Sequence, residues 1–161
     1  MYTEKRLIEK AAVESGIDTD WYFIDMFGKM AVVASAGGLL PDPVVADMNR
    51  LEKMIAYFRA LPVLSNNIII EKHILDKVEK YTKEQRETYL KDLYFMVSRG
   101  FYYFDKTELN NYFDFKYELK AKPSIPLIIN NNDSSVQEIL PNIVVGKDIE
   151  DIKFFFVNDF A

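Results

Sequence analysis

The spacing of apolar residues changes at Gly100, and that change constrains the fold more than any other feature. From Val44 to Val97, apolar side chains recur mainly at intervals of three and four. Beyond Gly100, Phe101-Tyr102-Tyr103-Phe104 is followed by Phe113, Phe115, Tyr117 and Leu119, which alternate with Asp114, Lys116, Glu118 and Lys120. A period of two places the apolar set on one side of a strand and the charged set on the other. One dry and one wet face predict an antiparallel sheet, so the expected class is α+β: an antiparallel sheet with an N-terminal hairpin and several helices packed on one face.

The segments before Gly100 supply the hairpin and the helices. Thr3 can cap a helix over 4–15 with Leu7, Ile8, Ala11 and Ala12 at helical spacing, ended by Gly16. Trp21–Ile24 and Lys29–Ser35, rich in aromatic and β-branched residues, flank a turn in which Gly28 can take a positive φ. Asp42 as N-cap and Pro43 at the first helical position predict a helix ending near Leu61-Pro62, with Val44, Met48, Leu51, Ile55 and Phe58 as its stripe. Ile70, Ile74, Val78 and Tyr81 keep helical spacing and assign 68–80 to a helix, although Ile68-Ile69-Ile70 also suits a strand. Thr82 and Gln85 form a capping box ahead of a helix whose core stripe is Tyr89, Leu93, Met96 and Val97. Late in the chain, a helical turn or short strand is expected around Val136–Leu140 and a last strand near Lys153–Val157.

No repeat or linker interrupts 161 residues, so a single domain over 1–161 is expected. The opening MYTEKRLIEKAAVESG breaks its apolar positions with charge, and no stretch approaches the roughly 18 apolar residues of a membrane span. Cytoplasm is the default location.

Counting removes much chemistry. With no cysteine and one histidine, His73, the chain has no thiol nucleophile, no thiolate zinc site and almost no histidine-based relay. Ser35 sits in Ala34-Ser35-Ala36-Gly37-Gly38 without a nucleophile elbow, Asp148-x-Glu150-Asp151 lacks the spacing of a calcium loop, and Gly37-Gly38 is too short to cradle phosphate. No catalytic residue, metal or cofactor is therefore assigned. His73 reads as a surface or boundary histidine.

The net charge of −5 opposes binding to a phosphate backbone, so nucleic acid is not an expected partner. Residues 1–100 carry 14 basic and 15 acidic side chains, whereas 101–161 carry 6 and 10, so the acidic excess lies in the final third. Tyr102, Tyr103 and Tyr112 fall there beside Asp105, Glu108, Asp114 and Glu118. Tyrosine offers rigid contact area with one polar tip, and neighbouring carboxylates attract basic groups. These seven residues form the expected partner-binding surface.

Two stretches carry a family resemblance. Trp21-x-x-x-Asp25-x-x-Gly28-x-x-Ala31-x-x-x-Ser35-x-Gly37-Gly38-x-Leu40-Pro41 resembles the opening hairpin of immunity proteins that accompany bacterial polymorphic and contact-dependent toxins. Tyr117-x-Leu119-x-Ala121-x-Pro123-x-x-Pro126-Leu127, with Ile139-Leu140-Pro141 and the closing aromatic strand, resembles the C-terminal half of the same group. The resemblance implies a small cytoplasmic protein without enzymatic activity that binds a cognate toxin domain and blocks it. The alternative is a small-molecule-binding domain or an enzyme with a carboxylate and tyrosine pocket between helices and sheet. A third is a module that pairs its Met48, Ile55 and Phe58 stripe with another helix.

Overall fold

A computed structural model describes residues 19–107, 115–130 and 132–160. The helix expected over 4–15 and the site residues Glu108, Tyr112 and Asp114 lie outside the described residues. The chain is α+β, but its seven-stranded sheet is mixed, which corrects the expected antiparallel one.

Strands β1 (Asp20–Asp25) and β2 (Met30–Ala34) form the expected antiparallel hairpin, turning at Gly28 with φ +84°. Beside β2, strand β4 (Tyr102–Lys106) runs parallel, and at the far edge β6 (Val144–Val145) runs parallel to β1. Strand β5 (Lys116–Pro123) pairs antiparallel with β4. Its other edge is shared by β7 (Phe154–Phe156), opposite Lys116–Glu118, and β3 (Ile68–Ile70), opposite Ala121–Pro123. Alternation within a strand reports which faces are dry, but it carries no record of the neighbour's direction. The parallel pairs arise because β2 reaches β4 only after the intervening helices.

Two helical expectations are corrected. The helix begun at Asp42 is two helices, α1 (Asp42–Val45) and α2 (Met48–Arg59). Pro41 occupies the N-cap position of α1, while Asp47 starts α2 by accepting the Arg50 N–H at 3.1 Å. Leu51, Met54 and Phe58 are buried, but Met48 is on the outside. Residues 68–80 divide into β3 and α3 (Lys72–Glu79), with Glu71 N–H still donating to Lys120 O and extending the ladder before the helix begins. Ile74 and Val78 are the buried residues of α3, so the helical period is real but starts later. The final helix, α4 (Lys83–Val97), has the expected capping box between Thr82 and Gln85 and buries Leu93, Met96 and Val97.

Successive residues of β1 face opposite sides of the sheet, and each side has its own aromatic packing. Tyr22 meets Phe58 of α2 with ring centres 4.8 Å apart, and Phe58 meets Phe101 at 5.3 Å. On the opposite side Trp21, Phe23 and Phe104 pack with Tyr117 and Phe155, the last two stacked at 5.6 Å. Phe160, in the 3-10 turn that follows β7, closes over Trp21 and Phe23.

The expected wet face of β5 is also corrected. Lys120 is buried, and its ammonium pairs with Glu118 where the chain leading into α3 lies alongside. Lys106 on β4 is buried against Gly38, and Tyr117 Oη donates to Ser35 O at 3.0 Å. The Gly37-Gly38 turn is thus packed into the molecule. In neither case does the charge of the residue reveal its burial, because long aliphatic stems can be covered once the head is paired.

Candidate functional site

Residues of α2 and α4 and of the ends of β1, β2 and β4 line an open cleft of about 520 Å³. Asp20 starts β1, Tyr103 and Asp105 lie two residues apart on β4, and Tyr89 and Asp92 sit one turn apart on α4. Arg59 enters from the last turn of α2. One guanidinium nitrogen donates to Asp20 Oδ2 at 2.6 Å and to Asp92 Oδ1 at 2.8 Å, tying β1, α2 and α4 together. The guanidinium also lies 5.3 Å from the centre of the Phe95 ring.

The electrostatics of this cleft follow from burial and from its acids. Partial burial opposes the Arg59 charge, but hydrogen bonds to Asp20 and Asp92 outweigh it and hold the guanidinium above its ordinary range. Burial, and then Asp105 and Asp92, push the Tyr103 phenol well above its usual value. Burial with Asp105 does the same for Tyr89, and burial with Asp20 for Tyr22. These phenols are neutral at physiological pH and offer O–H groups to an acceptor. Tyr103 Oη donates to Asp92 Oδ2 across 3.4 Å, a long contact. The Tyr22 hydroxyl is buried and has no hydrogen-bond partner among the described residues. Among the described residues the recess is lined by three carboxylates, one guanidinium and neutral tyrosines.

Of the seven residues expected to form the partner-binding surface, Tyr103 and Asp105 line this cleft. Tyr102 is buried on the opposite side of β4, where its hydroxyl donates to Glu150 at 2.7 Å. Glu150 also pairs with Lys122, and Lys29 pairs with Asp148. These contacts fasten the 148–151 turn to the sheet. Glu118 lies opposite Asp105 in register, but its carboxylate pairs with Lys120 and stands 3.4 Å from His73 Nε2. Half of the His73 side chain is exposed, as expected for a boundary histidine. Ser35 is buried, and its Oγ accepts the Thr19 N–H at 3.0 Å.

Sequence reasoning did not find Asp20, Arg59 or Asp92, and it assigned Tyr89 to the core stripe. These positions are separated by 33 residues or more along the chain in the Arg59 contacts alone. No short spacing could have signalled them.

Among the described residues no group of three or more His, Cys, Asp or Glu side chains is arranged to hold a metal ion. No helix among them is long and apolar enough to cross a membrane. No family model matches the chain, no curated protein is similar to it, and no solved structure matches its fold.

Proposed function

We propose that this protein is a non-enzymatic, cytoplasmic immunity protein that neutralises a bacterial toxin domain by presenting an acidic, tyrosine-containing surface to a basic partner. The observation that carries the reading is the cleft, which among the described residues is lined by Asp20, Asp92, Asp105 and Arg59 beside Tyr89 and Tyr103. The resemblance of Trp21–Pro41 and Tyr117–Leu127 to immunity proteins supports it independently. Toxins that cleave nucleic acid bind an anionic substrate with basic surfaces, so an acidic partner is steered toward the groove it must block.

The kinetic consequence is specific. Reversing charge at Asp92 and Asp105 is expected to slow association with the purified toxin domain by about tenfold or more at low salt, with the difference shrinking as salt rises. Stopped-flow measurement checks this, and an association rate unchanged by the reversal contradicts the assignment of the surface.

The cleft also favours a second reading. At about 520 Å³, with acids and phenols converging on it, it has the size of a small-molecule site, and a small organic cation is the ligand its charge selects.

A further inference from the structure

We infer that the end of the sheet opposite the cleft is a contact between two copies of this chain, joined across a two-fold axis. The cleft lies where β1 begins and where β2 and β4 end. At the other end β1 turns into β2 through 26–29, and the chain leaves β5 through 124–129. Residues 61–67 lead into β3 there as well, since β3 starts with Ile68 opposite Pro123.

Hydrogen bonds join these three loops into one surface. Ile129 N–H donates to Gly28 O at 2.9 Å, and Lys29 and Ile128 form an antiparallel bridge. Leu127 N–H donates to Gly100 O at 3.0 Å and Leu64 N–H to Ser98 O at 2.8 Å, so both loops are fastened to the joint between α4 and β4. Ser124 Oγ donates to Asn67 O and ties the two loops to each other.

The surface is apolar and open. Met26, Phe27, Val63, Leu64, Ile125 and Ile128 are between 40% and 63% exposed. Large side chains about half open to water offer roughly 500–600 Å² between six of them, and a patch of that size marks an interaction site. With Asn66 and Asn67, which are also exposed, the face approaches the roughly 800 Å² per partner that a stable complex buries.

Charge selects the occupant. The chain is 28% charged, yet residues 60–70 and 123–130 contain no Asp, Glu, Lys or Arg, and neither does Met26-Phe27-Gly28. The charges nearest to the face are engaged within the molecule. Asp25 accepts backbone N–H groups, Lys29 pairs with Asp148, and Arg99 donates to Leu61 O and Phe95 O. A two-fold contact sets a patch against itself, so a charged patch meets its own sign and an uncharged one does not. Two copies at −5 each repel, and this face is where that repulsion is least. An asparagine amide carries both donors and an acceptor, so Asn66 and Asn67 can pair with the same residues of a second copy. A dimer formed here leaves both clefts open.

The test is sedimentation velocity on the full chain over a dilution series. A monomer–dimer equilibrium is expected, with a dissociation constant that changes by less than about twofold between low and high salt. Phe27→Lys and Ile128→Lys, at exposed positions, are each expected to raise that constant by about tenfold or more, because each copy then brings the same charge to the contact. Leu75→Lys, at a position 45% exposed on α3, is the control and is expected to leave it unchanged. Dilution of the wild-type chain, followed by NMR, is expected to shift amides of 26–29, 61–67 and 124–129 and serves if the lysine variants do not fold. A monomer at every concentration, a dissociation constant untouched by both variants, or dilution shifts confined to other residues overturns the inference. Shifts of this face that need the added toxin domain, in a chain that is itself monomeric, also overturn it and give the face to that partner.

Discussion

Gly100→Ala is expected to destabilise the protein by about 3 kcal/mol, and on the scale of a 160-residue domain to lower the melting temperature by about 10 °C. Gly100 has φ +97°, which an L-residue enters at a cost of about 1–2 kcal/mol. A Cβ built there would lie 2.4 Å from Leu127 N and 2.8 Å from Leu127 Cβ. The obstruction is backbone, and it cannot rotate away. The same contact carries a hydrogen bond, since Leu127 N–H donates to Gly100 O at 3.0 Å. Gly100 also closes α4, with its own N–H donating to Val97 O and the Phe101 N–H to Met96 O. One residue thus ends a helix, starts a strand and seats the 125–129 segment. Gly146→Ala is the matched control, because a Cβ there meets nothing within 4 Å. Chemical denaturation of the two variants checks the difference, and equal stabilities contradict this account of the joint.

Asp25→Ala is expected to cost a comparable amount, about 3–5 kcal/mol. Asp25 is 3% exposed, and its carboxylate accepts three backbone N–H groups: Phe27 at 2.8 Å, Lys29 at 2.9 Å and Ile149 at 3.0 Å. The first two close the β1–β2 turn and the third anchors a segment 124 residues away. Alanine leaves these donors without their acceptor, and those buried away from water bear the full desolvation cost. Asp25→Asn is expected to recover part of the loss, since one amide oxygen can accept some of the three. If Asp25→Ala unfolds at the same denaturant concentration as the wild type, the carboxylate does not hold these segments together.

Both residues mark how far the sequence could be read. Gly100 was legible as the point where the period changes, because the helical stripe and the strand alternation are local patterns. Thr82 with Gln85 was legible for the same reason, since a capping box closes within four residues. Asp25 was visible in the hairpin turn, but nothing near it in the sequence announces Ile149. The three isoleucines at 68–70 satisfied two periods at once, and only pairing with Ala121–Pro123 decides for a strand. The same limit applies to the cleft. Tyr103 and Asp105 were legible as tyrosine beside acid, whereas Asp20, Arg59 and Asp92 become neighbours only when β1, α2 and α4 are assembled. Tyr102 shows the converse: adjacency to Tyr103 in the chain places it on the other side of the sheet, on Glu150.

The central proposal, neutralisation of a toxin through the acidic cleft, is tested most directly by survival. The gene immediately upstream is expected to encode a large secreted protein that ends in a compact toxin domain. Expressing that domain alone in a bacterial host should stop growth, and co-expressing this protein should restore it. The account predicts rescue by the wild-type chain and its loss on charge reversal of Asp92 and Asp105, with the variant present at the same soluble level. Growth arrest that persists with the wild-type protein, or rescue that survives the reversal undiminished, would contradict it.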